Sequence, residues 1–441
     1  MVSDAPAAAE AAPARSGFLR FVVSQTTSMF GSSLTGFALG VWVYQTTGSV
    51  TRFALISFFT MLPGILLSPI AGAFVDRWDR RWTMILSDLG SALCSLLIAV
   101  LLWRHALQIW HIYVLMALSS TLGAPQLLAF NASIPLLVPQ RRLSRANGIF
   151  QLGSAAAEVG APAVAGIVVA WAGVPAALMI DFLTCAVAVA LMLSIHIPKP
   201  QRTVAAGGGK RSLLAEAAEG WTFIRSRPGL LALMLMFTAL NLSRGSVTVL
   251  ATPLVLAFNT PQVLGRVLSI GACGMVVGGI LMTTWGGPRR RMLGIFGAML
   301  LYAVMLFLGG LRPNVALITV SCFLLLSTGP FINGLGQALW HVKVPSGLQG
   351  RVTAMRRLFS WSALPLAALV SGPLSDRLFE PWMAKGGPLA GSIGRWLGTG
   401  PGRGVALFLS LQGICTLILL LVCCLYRPLR RLEEETPDVV P

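Results

Sequence analysis

Twelve apolar stretches of about 20 residues or more, parted by short polar or charged breaks, limit what this chain can become. A helix of that length crosses a bilayer core, and a helix satisfies all its backbone N–H and C=O groups internally. The stretches run roughly 18–45, 51–75, 82–103, 109–135, 145–172, 174–196, 228–250, 264–286, 291–310, 314–340, 355–376 and 404–426. The expected fold class is therefore an all-α membrane protein with twelve transmembrane helices. Only 11% of the 441 residues are charged, against about 25% in soluble domains. A soluble chain this apolar would expose large sticky patches.

Charge placement orients the chain. With the amino terminus inside, 24 of the 33 Lys and Arg fall in cytoplasmic segments and eight at external loops or their edges. One, Arg244, lies within a span. That skew follows the positive-inside rule, with both termini cytoplasmic. The net charge of +18 is thus an orientation signal that also touches anionic membrane lipid, and it does not call for nucleic acid. Seven cysteines lie mostly in apolar runs without C-x-x-C spacing, and four histidines are scattered, so packing is preferred over disulfides or metal. No cofactor and no metal is expected. Residues 1–17 are Ala- and Pro-rich and read as a disordered cytoplasmic tail.

The chain repeats itself in parallel. Val138-Pro139 precedes Arg145, and Val344-Pro345 precedes Arg351, each Pro six residues before its Arg. The offset of 206 also pairs Asn131 with Gln337 and Gly166 with Gly372. Two six-helix bundles, 18–197 and 228–426, related by a parallel pseudo-two-fold, are expected, with a substrate site near the midplane. Between them 198–227 is a polar cytoplasmic linker whose second half, 212–225, is an amphipathic helix on the membrane face. Gly207-Gly208-Gly209-Lys210 lacks the phosphate-loop spacing and follows no strand. Residues 427–441 form a second cytoplasmic tail.

Residues 72–81 carry five charges between two apolar runs, so they make a turn at the membrane surface. Gly72, Asp76, Arg77, Arg80 and Arg81 resemble the G-x-x-x-D-R-x-G-R-[RK] loop between spans 2 and 3 of major facilitator superfamily transporters. Asp79 stands where the general pattern has Gly, which resembles the twelve-span branch of drug, macrolide and siderophore exporters, enterobactin exporters included. Further pieces of the resemblance are Gln25, Gly31, Asp88, Arg145 to Gly148, Gly350-Arg351-Val352, Gly372 to Arg377, Gly398 to Gly404, and the tail Arg427 to Glu433. The resemblance implies that Gly72, Asp76, Arg77, Arg80 and Arg81 form a conformational latch; a plain topological turn is the alternative. It likewise implies an antiporter-like span 5 at Gly160, Pro162 and Gly166, whose small residues and Pro serve close packing.

Four ionisable residues lie inside spans, each costing at least ~2–3 kcal/mol at a helix centre. Glu158, Asp181 and Asp88 are candidates for proton coupling. For Glu158 and Asp181 a buried pair or hydrogen bond is the alternative. For Asp88, near the arginine-rich turns, the alternative is a salt bridge. Arg244 could pair with Asp181, bind an anionic group, or snorkel to the surface. The resemblance implies a cavity lined by spans 1, 4, 7 and 10, whose candidate substrate-binding residues are Gln25, Ser28, Thr35, Gln126, Asn131, Asn241, Arg244, Asn333, Gln337 and Trp340. Helix–helix hydrogen bonding is the alternative for any one amide.

The resemblance implies a monomeric secondary exporter of small amphipathic molecules in the bacterial cytoplasmic (inner) membrane, exchanging them for protons, and not an enzyme. A lipid or lysolipid translocator on the same fold and a non-transport membrane sensor are the other readings.

Overall fold

The computed structural model describes residues 11–75, 78–139, 142–195, 213–288, 290–345 and 348–435, and among them there is no strand. The helices are α1 (Ala11–Thr47), α2 (Val50–Val75), α3 (Arg80–Trp103), α4 (Ile109–Leu137), α5 (Leu143–Leu193), α6 (Leu213–Arg225) and α7 (Pro228–Leu256). They continue with α8 (Pro261–Trp285), α9 (Arg291–Leu311), α10 (Val315–Lys343) and α11 (Gln349–Leu374), which runs into a π-helical turn, Ser375–Phe379. Short turns α12 (Glu380–Met383) and α13 (Gly394–Leu397) precede α14 (Arg403–Leu425), and α15 (Arg427–Arg430) and α16 (Leu432–Glu435) follow it.

Ten helical segments among the described residues are long and apolar enough to cross a membrane. One of them spans 49 residues, from Arg145 to Leu193, far more than a bilayer needs. It lies in α5, which breaks at Gly173, where φ is 77°. An L side chain rarely adopts that backbone, so the break sits on a glycine, with Pro175 following. α1 is not among the ten, because Ser24, Gln25, Thr26, Thr27, Ser28 and Thr35 dilute its apolar run. It starts at Ala11, inside the stretch read from sequence as a disordered tail.

The repeat is legible in the helix boundaries. α4 and α10 are both 29 residues long and begin 206 residues apart, and α5 and α11 begin at the same offset.

The chain divides into two compact units. The first holds residues 1–47 and 56–204, the second 48–55 and 205–441. The first turn of α2 therefore belongs to the second unit and the rest of that helix to the first. In the first unit one core gathers Phe21, Phe130 and Met192, with Phe21 and Phe130 stacked at 4.8 Å. Another gathers Leu39, Ile98, Ile112 and Leu178. The second unit is centred on Leu233, Ile295, Leu335 and Leu339. Its core includes Leu429 and Leu432 of the terminal turns, so residues 427–435 are packed in place. α6 is held to α11 by the Glu219–Arg351 salt bridge at 2.6 Å and by Trp221 stacked on Phe359.

Many large apolar side chains, such as Leu93, Leu183, Leu300 and Leu421, point outward. In water that would be an aggregation hazard, whereas in a bilayer it is the lipid-facing surface.

Candidate functional site

Two polar places stand out, one inside each unit. In the first unit, Asp88 on α3 and Asp181 on α5 are buried, at 2% and 5% exposure. Asp88 Oδ1 accepts from the Ser28 hydroxyl at 2.7 Å and from the Gln126 amide at 2.6 Å. Asp181 Oδ2 accepts from the Thr35 and Ser95 hydroxyls, both at 2.7 Å. Ser28 and Thr35 are seven residues apart on α1, as Asp88 and Ser95 are on α3. Seven residues are about two turns, so each helix presents one polar face and the two carboxylates form two layers. The Cys185 thiol, one turn beyond Asp181, donates to the Asp88 backbone carbonyl at 3.0 Å and ties the layers together.

The partners are all neutral. Among the described residues Asp88 makes no salt bridge, and Arg80 and Arg81 are engaged elsewhere. Arg80 Nη1 donates to the Ala132 carbonyl at 2.8 Å, and Arg81 Nη2 donates to the Leu193 carbonyl. Both arginines thus sit toward the carboxyl ends of helices, where a cation is favoured. In each acid both donors converge on one oxygen, and no donor among the described residues reaches Asp88 Oδ2 or Asp181 Oδ1. The close approach depends on Gly31. A Cβ there would lie 2.6 Å from Asp181 Oδ1 and would overlap the Thr184 hydroxyl.

The other residues singled out in this unit are placed as follows. Gln25 is buried and its Oε1 has no hydrogen-bond partner. Glu158 and Asn131 are exposed on α5 and α4. Gly160 lies against the ring of Phe30, Pro162 is inside α5, and Gly166 is buried. Gly72 lies in α2, and Asp79 caps α3 by accepting from the Arg81 N–H at 3.0 Å. Asp76 and Arg77, the centre of the expected latch, lie outside the described residues.

In the second unit α7, α10 and α11 line a partly open cavity of about 310 Å³. Its walls include Asn241, Asn333, Gln337 and Trp340, all singled out from sequence. An adjoining crevice of only about 10 Å³ shares Phe237, Asn241 and Asn333 with it and adds Arg244 and Tyr302. Tyr302 is fully enclosed, and its hydroxyl meets that of Ser243 at 3.0 Å. Arg244 is half-buried, with Nη2 facing Gly329. Its guanidinium makes no hydrogen bond or ion pair among the described residues. Trp340 is 5% exposed, with its Nε1 unbonded.

Sequence reasoning missed Ser95, although its seven-residue step from Asp88 repeats that from Ser28 to Thr35. It also missed Arg356, Arg357 and Trp361 on α11, which line the larger cavity.

A helical membrane protein of repeated halves, with buried carboxylates in one unit and a polar cavity in the other, has the build of a solute transporter. The chain belongs to the Major Facilitator Superfamily, whose family model matches residues 21–368. It is 27% identical over 382 residues to macrolide efflux protein A of Streptococcus pyogenes, covering 84% of this chain and 93% of that protein. It is 26% identical over 378 residues to the multidrug efflux pump Tap of Mycolicibacterium fortuitum, covering 82% and 90%. Among solved structures, nucleoside transporter NupG superposes with a TM-score of 0.66 at 15% identity, over 93% of this chain and 99% of that one. An inward-facing bacterial homologue of the human lysosomal transporter Spinster gives 0.66 at 14%, over 93% and 95%.

Proposed function

We propose that the protein is a secondary exporter of small amphipathic molecules that exchanges them for protons by alternating access in a bacterial cytoplasmic membrane. Efflux by the two sequence relatives, each matched along nearly its whole length, supports the export direction. Splitting α5 at Gly173 and adding α1 brings ten apolar segments to twelve, which supports twelve spans with both termini inside.

The observation that carries proton coupling is the pairing of Asp88 and Asp181 with neutral donors alone. A carboxylate locked to an arginine cannot change charge without leaving that cation buried and unpaired. Hydroxyl and amide donors keep their bonds to one oxygen while the second oxygen gains or loses a proton. Of the two, Asp181 is taken first, its Oδ1 lying beside Gly31 and Thr184. Glu158 is the third candidate. Asp76, with Gly72, Arg77, Arg80 and Arg81, is proposed as a latch at the inner surface; Arg80 and Arg81 are bonded to helix carbonyls there.

The test is uptake into proteoliposomes of the purified protein under an imposed pH gradient. The reading expects gradient-stimulated transport that Asp181→Asn abolishes while substrate still binds. Transport indifferent to the gradient and to that substitution would refute the coupling and favour the lipid-translocator reading.

A further inference from the structure

We propose that the cavity of the second unit selects anionic amphiphiles, small aromatic or fused-ring molecules bearing a carboxylate, sulfonate or phosphate, and rejects cations of similar size. This deepens the transport reading and rests on it.

The cavity volume of about 310 Å³ suits a small ligand. Two adjacent arginines of α11, Arg356 and Arg357, form part of its wall, and Arg244 stands in the adjoining space. Arg356 is pre-placed. Its Nη2 donates to Gln337 Oε1 at 2.6 Å, and its guanidinium lies over Trp340 at 5.6 Å. Arg357 and Arg244 have no hydrogen-bond partner for their guanidinium groups among the described residues.

No described acid lines either space. Four acids of this unit are engaged elsewhere: Glu219 with Arg351, Asp376 at the start of α2, Glu380 with the Val405 N–H, and Glu433 at the start of α9. Arg356 and Arg357 therefore face the cavity, and Arg244 the crevice beside it, with no acid among the described lining residues. Guanidinium matches planar, multidentate oxyanions, and a cation entering here would find like charge and no carboxylate. Trp361 and Phe237 add aromatic surface for the apolar part of the ligand.

The test uses fluorescein and rhodamine 123, xanthene dyes of similar size and opposite charge. Binding is read by fluorescence anisotropy on the full chain in lipid nanodiscs, and transport in proteoliposomes. Saturable fluorescein binding is expected, with rhodamine 123 at least about tenfold weaker. Arg357→Gln and Arg356→Gln should each weaken fluorescein about tenfold or more, the loss of one charged hydrogen bond. Arg357→Lys, which restores charge, should recover most of it and so separates lost charge from a damaged fold. Rhodamine 123 binding as tightly as fluorescein, fluorescein affinity unmoved by both glutamine variants, or no binding of either dye overturns the proposal. Arginine-dependent fluorescein binding without transport would sustain the cavity assignment and refute the exporter reading. Transport of rhodamine 123 with fluorescein neither bound nor moved would do the reverse.

Discussion

Replacing Asp376 should loosen the first turn of α2, although the two lie over 320 residues apart in sequence. Asp376 belongs to the π-helical turn after α11, and its carboxylate accepts from the Val50 N–H at 3.0 Å, the Thr51 N–H at 2.8 Å and the Ser49 hydroxyl at 2.6 Å. Ser49 Oγ in turn accepts from the Arg52 N–H at 3.2 Å. Asp376 and Ser49 thus satisfy three N–H groups that a helix start leaves unpaired. Gly372 lets α11 reach this place, since a Cβ there would lie 2.7 Å from Thr51 Cα. A net hydrogen bond to a charged group contributes about 1.5–3 kcal/mol, and an anion at a helix amino terminus about 0.3–1 kcal/mol. Asp376→Asn keeps one acceptor and loses the charge, at a cost of about 2 kcal/mol. Asp376→Ala strands two N–H groups and costs about 3 kcal/mol or more. At 1.4 kcal/mol per factor of ten, local opening rises about 30-fold and over about 100-fold. Hydrogen exchange followed by mass spectrometry on peptides covering residues 48–58 reads this directly, with peptides from α7 as the internal reference. Exchange within about threefold of wild type in both variants would refute the capping argument.

Three further outcomes follow from the same contacts. Asp88→Asn and Asp181→Asn should leave thermal stability near wild type, because one carbonyl oxygen still serves both donors; Asp181→Leu should lower it by removing the acceptor that Thr35 and Ser95 share. Differential scanning fluorimetry in detergent distinguishes these, and equal melting temperatures for the Asn and Leu variants would contradict the donor geometry. Gly31→Val should destabilise the first unit by about 1–3 kcal/mol through overpacking against Asp181 and Thr184, seen as an earlier melting transition. Glu433→Ala should free the terminal turns, since its carboxylate accepts from the Arg291 and Met292 N–H groups at 3.0 and 3.1 Å; limited proteolysis should then cut near residue 427, and an unchanged digest would count against the contact.

How far the sequence could be read depended on the range of the interaction. Span positions follow from local hydropathy, and the 206-residue offset found in Pro139 and Pro345 reappears in the starts of α4, α5, α10 and α11. Gly173 parts two apolar runs that are continuous in hydropathy, so the break was visible as a glycine between them. Partner choice was less accessible. Asp88 was weighed against nearby arginines along the chain, but it meets Ser28 and Gln126, 60 and 38 positions away. Arg356 and Arg357 were absorbed into the count of inward-facing positive charge, which records where a residue enters the membrane and says nothing of the cavity it lines.

One economy of charge links these features. The chain has 15 Asp and Glu against 33 Lys and Arg, and several of its described acids sit at helix starts rather than beside cations. Asp79 caps α3, Asp376 caps α2, Glu433 caps α9 and Glu380 meets Val405 in α14. α9 and α14 have Arg290 and Gly402 at their N-cap positions, neither of which supplies a side-chain cap. Near a membrane, water is a less dependable partner for those orphan N–H groups, so for α2, α9 and α14 an acid from a distant segment takes its place. Local capping rules cannot find such contacts, because the capping residue is remote in sequence. The consequence for function is that acids committed to helix starts are withheld from the arginines. Arg356 and Arg357 at the cavity wall, and Arg244 in the crevice beside it, have no acid among the described lining residues. The capping of the helices and the anion preference proposed for the cavity are therefore two results of one allocation of carboxylates. Returning an acid to the wall, as in Asn333→Asp, should weaken fluorescein binding and favour rhodamine 123; equal affinities for both dyes before and after that change would break the link.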